Sequence, residues 1–135
     1  MNDLVPPHGS KTLLPLLAPE CKHLALKEKA TNLTQVPMTS REKSDLLLLA
    51  MGAYTPLKGF LGEADWRGSC EEMRLASGLF WPIPITLSVT EALAGSISIG
   101  DEVVLVDPKL LWIWKMENKM FFILVKLLRV CFPVN

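Results

Sequence analysis

Proline and glycine fall inside the most apolar runs of this chain, not between them. Residues 51–62 set Gly52, Pro56, Gly59 and Gly62 among Met51, Tyr54, Leu57, Phe60 and Leu61. Residues 73–87 set Gly78, Pro82 and Pro84 among Leu75, Leu79, Phe80, Trp81, Ile83, Ile85 and Leu87. Proline fixes φ and removes a donor, and glycine opens positive φ. Backbone shape and packing are therefore specified together in both runs.

The local patterns predict where the elements lie. Pro6 and Pro7 impose an extended or turning entry. A short helix is expected after Pro19, because residues 20–29 are rich in Ala, Leu, Lys and Glu. Residues 33–36 read as a short strand closed by Pro37. Thr39 then reads as a helix N-cap, with Glu42 placed three residues later for a reciprocal capping box. That helix is expected to carry residues 46–51 inward and to stop at Gly52, where a left-handed residue costs little. Residues 55–59 form a turn, with proline presetting one dihedral and glycine permitting another. A second helix is expected near Asp65, with Trp66, Cys70 and Met73 on one face and Gly68 weakening it by about 1 kcal/mol relative to alanine. Ile83, Ile85, Leu87 and Val89 alternate with Pro84, Thr86, Ser88 and Thr90, which predicts a strand with one buried face. Pro82 and Pro84 put its start at a sheet edge or outside the ladder. Residues 96–107 read as a glycine turn at Gly100 feeding another strand. Few helices, several short strands and frequent turns indicate an α+β domain with a strongly curved sheet.

With 135 residues, 50% of them hydrophobic and 21% charged, the chain suits a single globular domain. Formal charge is zero but unevenly spread. Residues 51–107 carry three basic and eight acidic groups, and residues 108–135 carry five and one. The acidic middle argues against binding to a phosphate backbone, so no nucleic-acid partner is expected. Cys21, Cys70 and Cys131 lack any short paired spacing, and His8 and His23 stand fifteen residues apart. No zinc pattern can be assembled from them, and a reduced, cytoplasmic chain is the plain reading. No basic region followed by an apolar core opens the sequence. Nothing reaches the ~20 apolar residues that span a bilayer, so no membrane partner is expected.

The two apolar runs, together with Pro7-His8-Gly9 and the set Thr39, Ser40, Arg41, Glu42, Asp45 and Leu46, resemble the N-terminal domain of ATP sulfurylase (sulfate adenylyltransferase). The resemblance covers roughly residues 4–107. It implies an incomplete PUA-like β-barrel with short flanking helices over residues 1–107, supporting a catalytic domain and family subunits. The family joins sulfate to the α-phosphorus of MgATP, releasing pyrophosphate. Such chemistry needs positive groups and aligned donors about the phosphates. The family's Gln-x-Arg-Asn and histidine-pair motifs are not found here: Gln35 is followed by Val36 and Pro37. The resemblance therefore implies a fragment inactive alone, with no catalytic or metal residues and no cofactor of its own. A stand-alone PUA-like binding module, for RNA or protein, or an inert remnant, is the alternative reading.

Each residue of chemical interest has a structural reading that weighs more. His8 is expected to fix the entry segment or meet a neighbouring domain. Arg41 and Asp45, four apart, could form an ion pair of ~0.3–0.5 kcal/mol. Lys58 and Arg74 could meet phosphate or sulfate, but each is isolated within an acidic segment. Trp66 and Trp81 read as core or interface anchors. Residues 59–62 lack the lysine and hydroxyl of a phosphate loop.

After Asp107 the resemblance is lost, and residues 108–135 read as an aberrant apolar and basic tail. Three readings stand: a hairpin turning near Asn118, an amphipathic basic segment lying on a membrane, and a stretch translated out of frame or a degraded gene end, which the abrupt loss of similarity and shift of composition favour. In any of them residues 120–125 are uncharged, proline-free and strand-prone, which predicts poor solubility if they are left unpaired.

Overall fold

The structure is a computed structural model that describes residues 4–107 and the strand 124–126. In chain order it places a 3-10 turn (Glu20–Lys22), α1 (His23–Ala30), β1 (Thr34–Pro37), α2 (Ser40–Met51), α3 (Glu63–Glu72), α4 (Glu91–Ser96), β2 (Glu102–Val106) and β3 (Leu124–Lys126). The three strands form one sheet in the order β1-β2-β3. β1 runs parallel to β2, with Val36 opposite Leu105. β3 is antiparallel to β2, with Val103 opposite Val125. β2 is the central strand, and Val103, Val104 and Leu105 are all buried, as expected for a strand covered on both faces. Among the described residues the sheet is small and does not close into a barrel.

The capping box forms as the spacing predicted. Thr39 accepts from the Glu42 backbone N–H, and the Glu42 carboxylate accepts from the Thr39 backbone N–H at 2.7 Å. The α2 stop at Gly52 also holds, with φ at 79°. A Cβ there would lie 3.0 Å from the Pro15 nitrogen, so the entry segment's close crossing needs glycine too. The inward face of α2 is narrower than expected. Leu46, Leu49 and Ala50 are buried, but Leu47 and Met51 are exposed, because a period of 3.6 turns them outward.

Among the described residues two apolar clusters make up the core. Val36, Leu46, Leu87, Val89, Val103 and Leu105 form the first, between α2 and the sheet. Leu49, Leu57, Leu61, Leu75 and Ile85 form the second, with Trp66, Leu79 and Trp81 packed against it. Phe60 touches both. Residues 51–62 and 73–87 thus supply most of the second cluster.

Two expected elements differ. Residues 83–89 keep their alternation in burial from Ile85 to Val89 but form no regular strand, and Ile83 is exposed. Their backbone bonds elsewhere: the Leu61 N–H donates to the Ile85 carbonyl at 2.8 Å, and the Ser88 N–H donates to the Glu42 side chain. On α3, Cys70 and Met73 are exposed, and the fully buried residue is Ser69. The reason lies in small side chains. Ser69 Oγ donates to the Trp81 carbonyl at 2.8 Å, and the Arg74 carbonyl lies where a Gly68 Cβ would be, only 2.4 Å from it. Gly68 is therefore required by close approach and is not merely a weak point. α4, capped by Thr90, was not anticipated.

Candidate functional site

Three features concentrate the polar and aromatic groups: a buried carboxylate on α2, an anchored entry segment, and a pinned loop from Met73 to Ile83.

Glu42 is 1% exposed, and both carboxylate oxygens are engaged. Oε2 accepts from the Thr39 N–H and hydroxyl at 2.7 and 2.8 Å. Oε1 accepts from the Ser88 N–H and hydroxyl at 2.6 and 2.5 Å. Burial pushes the carboxyl toward protonation, but the hydrogen bonds from Ser88 and Thr39 together outweigh it, so its pKa lies below the ordinary glutamate value. An ionised carboxylate closed off from solvent with all its acceptors in use is a structural joint, tying α2 to residues 85–89.

His8 does fix the entry segment. Its Nε2 donates to the Phe80 carbonyl at 2.7 Å, and its ring lies 6.2 Å from that of Trp81. Tyr54 meets Trp81 edge-on at 6.1 Å, completing a row of three rings. The Tyr54 hydroxyl donates to Asp45 at 3.0 Å. Burial first, and then that hydrogen bond and the Asp45 charge, raise the Tyr54 pKa. Asp45 is thus engaged by Tyr54, and no ion pair joins it to Arg41 among the described residues. Two ion pairs link helices to β2 and the residue after it: Lys29 on α1 reaches Glu102 at 2.5 Å, and Lys43 on α2 reaches Asp107 at 2.6 Å.

The loop after α3 is held at many points. The Leu75 N–H donates to the Leu79 carbonyl at 2.9 Å and the Trp81 N–H to the Met73 carbonyl at 2.7 Å. Asp65 accepts from the Ala76 N–H at 2.9 Å, and Arg74 donates to the Gly78 carbonyl at 2.9 Å. Trp81 Nε1 donates to the Ile83 carbonyl at 2.7 Å. Met73, which caps α3, takes a left-handed φ of 54°.

The structure does not bring the sequence's cationic candidates together. Arg74 is turned into its own loop, and Lys58 stands exposed on the turn after the cis Thr55–Pro56 bond. Trp66 and Trp81 are partly buried against the second cluster, as anchors would be. Among the described residues no group of three or more His, Cys, Asp or Glu is placed to hold a metal ion, and no helix is long and apolar enough to cross a membrane. Sequence reasoning missed Ser88 as the partner of Glu42, 46 residues away, and no local signal marks it. It also missed Met73, whose position directly after a helix, where glycine is usual, was the available clue.

Residues 5–126 match the family model of a PUA-like domain. The sulfate adenylyltransferase of Syntrophobacter fumaroxidans is 56% identical over 108 residues, covering 79% of this chain and 26% of that protein. That of Chlorobaculum tepidum is 48% identical over 120 residues, covering 86% of this chain and 30% of that protein. Among solved structures, the hexameric APS kinase from Thiobacillus denitrificans matches with a TM-score of 0.68 at 34% identity, covering 78% of this chain and 21% of that one. The chain thus spans 26–30% of the length of these curated relatives.

Proposed function

The chain belongs to the PUA-like domain family, and on that footing we propose that it is the N-terminal supporting part of a sulfate adenylyltransferase. The observation that carries this is the extent of the likeness: relatives named for that activity are 44–56% identical, yet the match takes up only about a quarter of their length. In the proposed role, ATP and sulfate are handled by the remaining part, and this chain contributes packing and subunit contacts in the cytoplasm. The geometry is consistent with such a division. The buried carboxylate is committed to the fold, Arg74 is committed to its own loop, and Lys58 stands exposed on a turn. The anchored aromatic row and the pinned loop are features of a rigid support.

An incomplete PUA-like β-barrel with short flanking helices belongs to the same proposal, with β1, β2 and β3 among its strands. A break at Asp107, with residues 108–135 as a separate stretch, is proposed on the shift of composition. The family match to residue 126 and the antiparallel pairing of β3 weigh for the hairpin reading of that stretch.

Two assays test the role. The purified chain is expected to show no sulfate-dependent exchange of pyrophosphate into ATP. The full-length Syntrophobacter fumaroxidans enzyme, with its matching segment replaced by that of this chain, is expected to show it. Turnover by the chain alone, or an inactive chimera, would contradict the proposal.

A further inference from the structure

We infer that the segment Met73–Ile83 is the face on which the larger part of the enzyme seats, an inference that rests on the function proposed above. Met73, Phe80 and Ile83 are 55%, 50% and 61% exposed, all within one eleven-residue run. Exposed apolar residues are ordinary when scattered. These sit on backbone that is fixed by the Leu75–Leu79 and Met73–Trp81 hydrogen bonds, by Asp65, by Ser69 and by His8. A surface held in place before binding loses little freedom when a partner covers it. Met73 adds a second argument. A non-glycine residue in the left-handed region is disfavoured; the Gly68 and Trp81 hydrogen bonds hold its backbone there, yet more than half of its side chain stays exposed. On this inference, a contact outside the chain covers it.

Charge decides among occupants. Residues 63–74 carry four carboxylates and two guanidinium groups. Arg67 is shared between Glu63 and Glu71 at 3.7 and 3.8 Å, and Arg74 is occupied by the Gly78 carbonyl. Glu72, immediately before Met73, has no partner among the described residues. Two copies of this face would oppose like charges, so self-association is disfavoured. The fitting partner is an apolar surface bordered by Lys or Arg. Because the matched segment is only 26% of the Syntrophobacter fumaroxidans relative, the rest of that polypeptide is the partner chosen here.

The test uses the full-length chimera described above and this full chain by itself. Phe80→Arg with Ile83→Arg is expected to shorten the half-life of the chimera's activity at elevated temperature about tenfold. In the chain alone the same pair should move the melting temperature by no more than about 2 °C, since both positions are exposed. Leu24→Arg, 71% exposed on α1, serves as the control and should do neither. A doubly substituted chimera as durable as its parent overturns the inference and leaves the proposed function standing. So does an equal loss in the isolated chain, which would make the two residues structural. An unsubstituted chimera without activity instead overturns the proposed function.

Discussion

Replacing Glu42 by glutamine probes the joint between α2 and residues 85–89 with almost no change of shape. The carboxylate accepts four hydrogen bonds, two from backbone N–H groups and two from hydroxyls. An amide keeps one oxygen and turns the other into a donor. The hydroxyls of Thr39 and Ser88 have the freedom to rotate and accept instead, but neither backbone N–H does. Whichever way the amide is placed, one N–H faces another donor in a site that is 1% exposed. A buried donor left without an acceptor costs about 1–3 kcal/mol, and the remaining bonds lose the strength that charge gave them. The expected loss is about 2–4 kcal/mol, read from the urea midpoint at pH 7 with an unchanged denaturant slope. Ser88→Ala, which removes only a hydroxyl donor, should cost about 1 kcal/mol. A glutamine variant within 0.5 kcal/mol of the parent would refute the reasoning.

The same carboxylate sets an acid limit. Its folded pKa is depressed, so the unfolded chain binds the proton more readily, and its contribution is full above the ordinary glutamate pKa. That contribution should fade as the pH falls below about 4 and through the folded value. Glu42→Gln has no such proton to take up. Its stability should therefore fall less steeply than the parent's over that range, and parallel curves would show that other groups dominate.

Three further outcomes follow from single contacts. Tyr54 is the chain's single tyrosine, so tyrosinate absorbance reads it alone. Its phenol should ionise above the usual range, and Asp45→Asn should lower it part of the way, since burial, the larger cause, remains; an unchanged titration in that variant would contradict the Asp45 contact. Gly68→Ala should destabilise by about 1–3 kcal/mol despite the better helix propensity of alanine, because the new Cβ meets the Arg74 carbonyl; a raised melting temperature would show that the approach is not that close. His8→Ala should cost about 0.5–1.5 kcal/mol and speed protease cleavage within residues 4–13, and unchanged cleavage would mean the Phe80 contact does not anchor the entry.

What the sequence made legible was decided by range. Thr39 and Glu42 stand three apart, so the capping box was readable from spacing, and so was the Gly52 stop. Ser88 completes the same carboxylate from 46 residues away, and nothing in its neighbourhood announces it. The alternation of Ile85, Leu87 and Val89 was readable as burial. It was silent on where the backbone bonds go, and a strand was expected where a side chain and one loop amide serve instead. On α3, apolar character pointed to Trp66, Cys70 and Met73. Packing kept Trp66 but took Gly68 and Ser69 over Cys70 and Met73, because a backbone crossing rewards small residues over greasy ones.

These departures share one physical cause. Pro82 and Pro84 keep the start of residues 83–89 out of a ladder, yet its buried side chains must still join two apolar clusters. The backbone groups carried inward with them need partners. Glu42 supplies one, at the cost of burying a charge, which is tolerable only because Thr39 and Ser88 satisfy both oxygens. The proline-bearing apolar run and the capping box are therefore two halves of one solution, in which a helix side chain replaces a missing strand.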